Sequence, residues 1–551
     1  MSYRFSKYTT EQEKIFIDKA YNWIFLSNDN SSCSFKGWFR FKNTVYKGPK
    51  AVEKIVEMFT DETDIRDISK IVNTLEGDFG FILDDRHQII ASVDKKRSYP
   101  VFYAIRGEEC YVGNSARYLQ KKINLYEKDH DSILEFKMAG YVMGPRTIFK
   151  DLYQLQAGEL LVYNKSQKLK VVRYFSYFMD GISSGSEKQL KEELYVVTNE
   201  IFRRMIERLD GRPVWIPLSA GYDSRLILCM LKKHKYDNLN CFFYGGPGNA
   251  NWERKYSHDL AEKLNVPWRH ISYSYQSVRD VYKSKVWMEY GVYADGLCSL
   301  PAYSYIFYME RLIKNKLLSP DAIIINGQSG DFISGNHLFE SLFNLSTSRR
   351  LIDKAIIDKH FSLWLNLKTS NNLELIKTRI NEVVKEIELD PDSSQSVANM
   401  LDYWEWNERQ CKYVVNGQRA YDYFGINWEL PLWDDAYLRF WKGIPWNMKI
   451  NQKLFREFLE EINLFGAFKG YKPNRSLPLT RQAIKVLFTS FTRIFPQRKR
   501  EQLVRKYLSY IIYPNNYYAI IPYLEYLKTS ENHRSVASYF CQKHLQNLGV
   551  N

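Results

Sequence analysis

Two serines, a glycine and an aspartate fall within one short run, Ser219-Ala220-Gly221-Tyr222-Asp223-Ser224-Arg225. These residue types at this spacing suit the holding of phosphate. Small residues at 220 and 221 let phosphate oxygens reach the backbone, and the Ser219 and Ser224 hydroxyls add donors. The Asp223 carboxylate can hold Mg²⁺. The run follows an apolar stretch, Pro213–Leu218, and opens a helical pattern. In that setting the free N–H groups of the first helical turn and the positive end of the helix dipole converge on the turn. The G-x-x-x-x-G-K-[ST] type of phosphate loop is absent. An ordinary helix N-cap turn draws on the same residues, but the strand–turn–helix position favours a nucleotide.

The surrounding pattern supplies the elements that must position this turn. A helix over Gln189–Arg208 precedes it, and a helix over Asp223–His234 follows. Strands are predicted at Asn240–Tyr244, Arg269–Ser272 and Ala322–Asn326, with a helix over Asn251–Leu264. Strands alternating with helices imply a doubly wound parallel sheet, which binds ligands at the carboxyl ends of its strands. Residues 1–180 read differently. Gly37–Phe41 alternates as a strand, and Gly80–Leu83, Asp84–His87 and Gln88–Val93 form a hairpin by pattern. Short strands are expected at Val101–Ala104, Cys110–Val112 and Glu159–Tyr163, and helices at Thr10–Trp23 and Lys50–Phe59. This is an α+β unit of packed antiparallel sheets. A small, polar linker begins at Gly181, the parallel-sheet unit runs over 187–345, and 346–551 is mostly helical.

Composition bounds the rest. A chain of 551 residues, 45% hydrophobic, holds two or more packed units. Lys plus Arg is 78 against 63 for Asp plus Glu, a net charge of +15 that suggests an anionic partner. Seven scattered Cys without a C-x-x-C pair give no disulfide framework or zinc ribbon, and the nine His never form H-E-x-x-H. No signal pattern opens the chain and no long apolar run interrupts it, so a cytoplasmic protein is expected.

The run Ser219–Ser224 resembles the S-G-G-x-D-S pyrophosphate loop of the N-type ATP pyrophosphatases, and further motifs resemble the asparagine synthetase family. Leu75–Phe81 is similar to its L-x-G-x-F-A-F strand, Asp94–Tyr103 to D-x-x-G-x-x-P-L-Y-Y, and Gly140–Phe149 to G-Y-x-P-x-P-x-T-x-F. Asn326–Asp331 follows a strand as S-G-E-G-A-D-E does. Pro431 and Asp434 sit as in E-x-R-x-P-F-L-D, and Gln452–Arg456 resembles E-K-x-x-L-R. Lys472 lies sixteen residues past Arg456, where the family places a pyrophosphate-contacting lysine; Lys469 is a near alternative. The resemblance implies an Ntn-hydrolase-like β-sandwich over 1–180, a degenerate glutamine amidotransferase domain, joined to a PP-loop synthetase. It implies ATP against Leu218, Ser219, Ala220, Gly221, Tyr222, Asp223, Ser224, Tyr244 and Gly327. It also implies Mg²⁺ on Asp223 and Asp331, with catalytic roles for Lys472 and Gln328. Asp331 as a helix cap and Lys472 as a solvated lysine are the plainer readings. The implied chemistry is adenylation of a small or polymer-linked carboxylate, with attack by ammonia or an amine.

The chain also departs from the family. Glutamine-using members begin with a catalytic Cys, whereas this chain begins Met-Ser-Tyr. Cys33 faintly resembles such a start, but the R-G-P-D and N-G-E motifs are missing between it and Leu75. A retained scaffold without glutaminase, as in β-lactam synthetases and lasso peptide cyclases, is expected. Gln328 stands where asparagine synthetases carry Glu and cannot act as a general base. Glu405, Glu408 and Glu429 are candidates in its stead. Ala220 replaces a motif glycine, tolerable where φ stays negative.

Ile484, Leu487, Phe488, Phe491 and Ile494 fall at helical spacing before Arg493, Arg498, Lys499, Arg500, Arg505 and Lys506. A basic amphipathic stretch over Arg493–Lys506 suits an anionic membrane or an acidic polysaccharide; more often such a stripe is core with a solvated rim. The preferred reading is an AMP-forming amide ligase acting on uronic acids of a surface polysaccharide. Peptide cyclisation or β-lactam closure, asparagine formation, a tRNA-modifying pyrophosphatase and a non-catalytic binding protein are the alternatives, with no nucleic acid expected.

Overall fold

The computed structural model describes residues 4–5, 13–59, 64–164, 168–179, 185–245, 251–343, 349–385, 387, 390, 393–469, 479–512 and 520–550. The N-terminal unit is built on strict period-two alternation. In its larger, eight-stranded sheet, Ile82, Ile89, Ala91, Val93, Leu161 and Tyr163 face one way, toward Tyr103, Cys110 and Val112 of a four-stranded sheet. Their neighbours Phe81, Leu83, Ile90, Leu160 and Val162 face the other way, onto the helices Pro49–Phe59 and Ile65–Asn73. Phe102 and Ala104 of the smaller sheet turn outward onto the helices Ala116–Lys122 and His130–Ala139. The result is four layers, helix–sheet–sheet–helix, with both sheet faces covered. The helix expected over Thr10–Trp23 does not form among the described residues. Ile15–Phe16 instead adds a parallel strand beside Glu109–Gly113, and only Lys19–Tyr21 coils into a 3₁₀ turn.

The second unit carries five parallel strands. Their order is Trp268–Ser272, Leu239–Gly245, Val214–Pro217, Ile323–Ile325 and Asn427–Glu429. The residues Val214–Ile216, Cys241–Phe242 and Ile323–Ile325 are all buried, the mark of a parallel sheet covered on both faces. The fifth strand, three residues long, lies within the mostly helical stretch 346–551. The chain winds outward from Val214–Pro217 on one side and from Ile323–Ile325 on the other. The strand order therefore reverses between those two strands, and a crevice opens beyond their carboxyl ends. The helix Glu187–Leu209 enters this unit through a capping box, Ser186 with Gln189, an arrangement that adds about 1 kcal/mol.

Charge joins the units. The run Asp94–Arg97 is buried despite its polarity. Lys95 pairs with Asp435 at 2.6 Å, and Asp435 also accepts the Gly77 N–H at 2.9 Å. Lys96, paired with Asp78 at 2.6 Å within its own unit, donates across to the Trp433 carbonyl at 3.2 Å, and the Trp406 indole donates to the Lys95 carbonyl at 2.9 Å. Glu408 and Lys412, one turn apart and fully buried, clamp Gly144: Glu408 accepts its N–H and Lys412 donates to its carbonyl at 2.6 Å. Among the described residues no helix is long and apolar enough to cross a membrane.

Candidate active site

The crevice at the strand-order reversal holds a cavity of about 400 Å³. Leu218, Ser219, Gly221, Asp223, Ser224, Tyr244, Gly327 and Gln328 of the expected set line it. Ala220 and Tyr222 do not: Ala220 is buried behind the turn, and the Tyr222 ring stacks on Phe468 with its face toward Arg225. Lys472 lies outside the described residues; Lys469, described and exposed, caps a turn through Asn463.

The turn is closed by its own hydroxyls. Ser224 Oγ accepts the Ser219 N–H at 3.1 Å and meets Ser219 Oγ at 3.2 Å, while Ser219 Oγ accepts the Gly221 N–H at 3.0 Å. Gly221 caps the helix Tyr222–Lys233 with no side-chain hydrogen bond, so the helix presents its N-terminal groups toward the cavity. Ala220 is not among the positive-φ residues, which is why a methyl group is accepted there. Behind the turn, the buried Arg225 guanidinium donates to the Gly221 carbonyl at 3.1 Å, the Tyr256 hydroxyl at 3.0 Å and the Ala467 carbonyl at 2.5 Å.

Asp223 reaches across to the next strand's turn. A Cβ on Gly327 would lie 2.6 Å from Asp223 Cβ, and one on Gly330 would lie 2.8 Å from Asp223 Oδ1. Only glycine at both positions lets the carboxylate enter. Among the described residues, the buried Oδ1 has no hydrogen-bond partner. Burial, then the neighbouring Asp331 carboxylate, pushes the Asp223 carboxyl well above the usual range, against the Asp331 backbone N–H that favours its charged form. Asp331 itself is exposed and accepts from Asn336 at 3.3 Å. An orphaned buried oxygen facing a second carboxylate is a donor set that suits a hard divalent cation, so Asp223 and Asp331 fit Mg²⁺.

Glu253, Tyr305, Tyr308 and Tyr421 also line the cavity and carry no mark in the sequence. Glu253, at the start of the helix Asn251–Lys263, accepts the Ala220 N–H, and burial raises its carboxyl. Tyr244 stacks on Tyr308 at 4.2 Å, and Tyr305 on Tyr421 at 5.8 Å. Gln328 is tied at both ends: its Nε2 donates to the Tyr305 hydroxyl at 2.9 Å, and its Oε1 accepts from Gln418. Asn326 holds the Gln328 N–H at 3.0 Å. Tyr305 and Tyr308 fall three apart in an apolar helical run, a spacing indistinguishable from core packing.

The candidate bases lie elsewhere. Glu405 is paired with Lys359 and with His360 at 3.2 Å, and its carboxyl is held well below the usual range despite burial. Glu408 belongs to the Gly144 clamp, and Glu429 pairs with Arg208 at 2.9 Å. None of the three lines the cavity. Asp434 serves as an N-cap, accepting the Ala436 N–H at 2.9 Å. Lys453 and Arg456 line a separate open groove with Trp446 and Phe343. Cys33 sits inside the strand Ser32–Phe41, paired to Leu26 and Leu83, and burial pushes its thiol up.

A small-residue turn at the strand-order reversal, with the buried Asp223 carboxylate lining the cavity and Asp331 beside it, marks the site of an α/β protein with a parallel sheet. A family model described as asparagine synthase matches residues 200–488, and the chain belongs to that family, whose members are ATP-dependent amide ligases. Comparison with curated proteins gave no match. Among solved structures, a glutamine phosphoribosylpyrophosphate amidotransferase from B. subtilis, complexed with ADP and GMP, is 9% identical, with TM-score 0.19 over 56% of this chain and 58% of that one. A second, titled the allosteric regulatory enzyme of purine biosynthesis, is 11% identical, with TM-score 0.19 over 42% of this chain and 50% of that one. The chain thus spans 58% of the first protein's length and half of the second's.

Proposed function

We propose that the protein activates a carboxylate with ATP and transfers the acyl group to ammonia or an amine, without a glutaminase of its own. The unpartnered Asp223 oxygen beside an open helix N-terminus carries this reading. A carboxylate oxygen attacks the α-phosphorus, the bond to the β-phosphate oxygen breaks, and pyrophosphate leaves. The amine nitrogen then attacks the acyl carbon, the bond to AMP breaks, and the amine gives up a proton. Such chemistry is positioning and charge neutralisation rather than covalent work by the protein. Mg²⁺ on Asp223 and Asp331, when bound, supplies charge neutralisation at the phosphates. The turn's Ser219 and Ser224 hydroxyls and the first-turn N–H groups hold the phosphates, and Tyr244 and Tyr308 offer a stacked aromatic wall. Lys472 is proposed to stabilise charge on the departing pyrophosphate.

Gln328, pinned by Gln418 and Tyr305, orients rather than deprotonates. Because Tyr305 accepts from Gln328, its own O–H is available as a donor toward the cavity, and burial keeps it protonated. Tyr305, Asn326 and Gln328 line the cavity with donors and acceptors. This lining suits a hydroxyl-rich acid, and we assign a uronic acid of a surface polysaccharide as the carboxylate. The N-terminal layers then serve as an Ntn-like scaffold. Release of Cys33 as a free N-terminus would remove the strand Ile24–Ser27 that pairs with it.

Exchange of radiolabelled pyrophosphate into ATP tests the proposal. Exchange should require a uronic acid and vanish in Asp223→Ala. Failure across uronic acids, amino acids and peptides would overturn adenylation. Exchange with peptides alone would overturn the substrate assignment, and Cys33-dependent release of glutamate from glutamine would overturn the scaffold role.

A further inference from the structure

The helix Leu479–Phe491 faces the wrong way for a core element. Ile484, Val486, Leu487 and Phe491 are 40, 61, 66 and 85% exposed, and Ile494 in the following turn is 83% exposed. At 100° per residue these five positions share one continuous arc of about 160°. Phe488, Thr489 and Thr492 turn to the opposite side, where Thr492 is buried and its hydroxyl bonds the Phe488 carbonyl at 2.9 Å. The apolar arc thus points outward from the protein. Exposed apolar surface this concentrated marks an interaction site.

Its charge selects the partner. From Leu479 to Arg500 there are six Lys or Arg and no Asp or Glu. Lys485, Arg493 and Lys499 are exposed among the described side chains. Lys506, by contrast, is engaged with Glu531 at 3.0 Å, so the basic fringe is narrower than the sequence suggests. A soluble polyanion would satisfy the cations but leave Phe491 and Ile494 in water. A second copy of the chain would bury them but set one basic fringe against another. An anionic bilayer satisfies both, taking apolar side chains into its interface and lysine and arginine at its headgroups.

We propose that Leu479–Arg500 docks the protein peripherally on an anionic phospholipid surface, with Leu487, Phe491 and Ile494 inserted and Arg493 and Lys499 at the headgroups. Sedimentation of the full-length chain with vesicles tests this. Vesicles of phosphatidylcholine containing roughly one quarter phosphatidylglycerol should bind at least about tenfold more protein than phosphatidylcholine alone, and binding should fall with added salt. Phe491→Ser with Ile494→Ser should abolish binding at unchanged thermal stability. Arg493→Glu with Lys499→Glu, which alters only exposed positions, should abolish the preference for anionic vesicles. Equal binding to both vesicles, or none, overturns the proposal. So does binding to heparin without binding to vesicles, and so does a concentration-dependent dimer that Phe491→Ser with Ile494→Ser dissolves.

Discussion

The Arg225 guanidinium donates to the carbonyl of Ala467 at 2.5 Å, so the helix that begins at the Ser219–Ser224 turn grips the chain two residues before Lys469. The same side chain holds the Gly221 carbonyl and lies over the rings of Tyr222 and Phe468. Turn and distal segment are thereby one unit. Arg225→Leu should cost about 1–3 kcal/mol for each acceptor left unpaired. Pyrophosphate exchange should fall more steeply than stability, as a thermal melt set against an exchange assay will show.

Asp223 is expected to trade stability for activity. Its carboxyl is buried, partly unpartnered and set against Asp331. Asp223→Asn removes that conflict, so its melting temperature without Mg²⁺ should rise by a few degrees. Exchange should drop by about 10²–10³, the usual cost of a preorganised electrostatic group. Mg²⁺ should raise the melting temperature of the parent protein and leave the variant unmoved.

Gly330→Ala tests the cradle from the other side. The added carbon would lie 2.4 Å from Leu432 Cδ1 and 2.8 Å from Asp223 Oδ1. Overpacking of this kind costs about 1–3 kcal/mol. Displacement of the carboxylate should also abolish the Mg²⁺-dependent rise in melting temperature, which distinguishes it from simple destabilisation.

Glu253 occupies the Ala220 N–H with a carboxylate, on the side where phosphate is expected. Phosphate and Glu253 compete for that donor. Glu253→Ala should therefore tighten ATP binding in calorimetry by about three- to tenfold, equivalent to about 1 kcal/mol. Weaker binding in the variant would instead make Glu253 a nucleotide contact.

Glu135 makes stability depend on pH. Burial raises its carboxyl to about 7, against Arg146 and the Met143 N–H, which favour the charged form. A carboxyl raised on folding contributes stability that is complete below its unfolded value, near 4.5, and is lost as pH rises through about 7. Glu135→Gln should flatten the stability profile between those limits, by up to about 3 kcal/mol in denaturant titrations.

Local pattern is enough for the elements that carry the Ser219–Ser224 turn. A strand, a small-residue turn and a helix start are written in consecutive residues, so Ser219–Ser224 and the strands beside it could be read from period and composition. The hairpin Gly80–Val93 was legible for the same reason. What pattern could not supply was the partner of each face. The spacing of Ile484 to Ile494 is the same for a core stripe and for an outward one, and packing alone sets it outward. Glu405, Glu408 and Glu429 look like free acids in the sequence, yet Glu405 and Glu429 meet cations brought from elsewhere in the chain, and Glu408, buried with Lys412 one turn on, holds Gly144 from the other unit. Glu253 and Tyr305 join Asp223 because a parallel sheet gathers strand ends that lie far apart in sequence. Side-chain chemistry is local, whereas desolvation and pairing depend on contacts between distant segments.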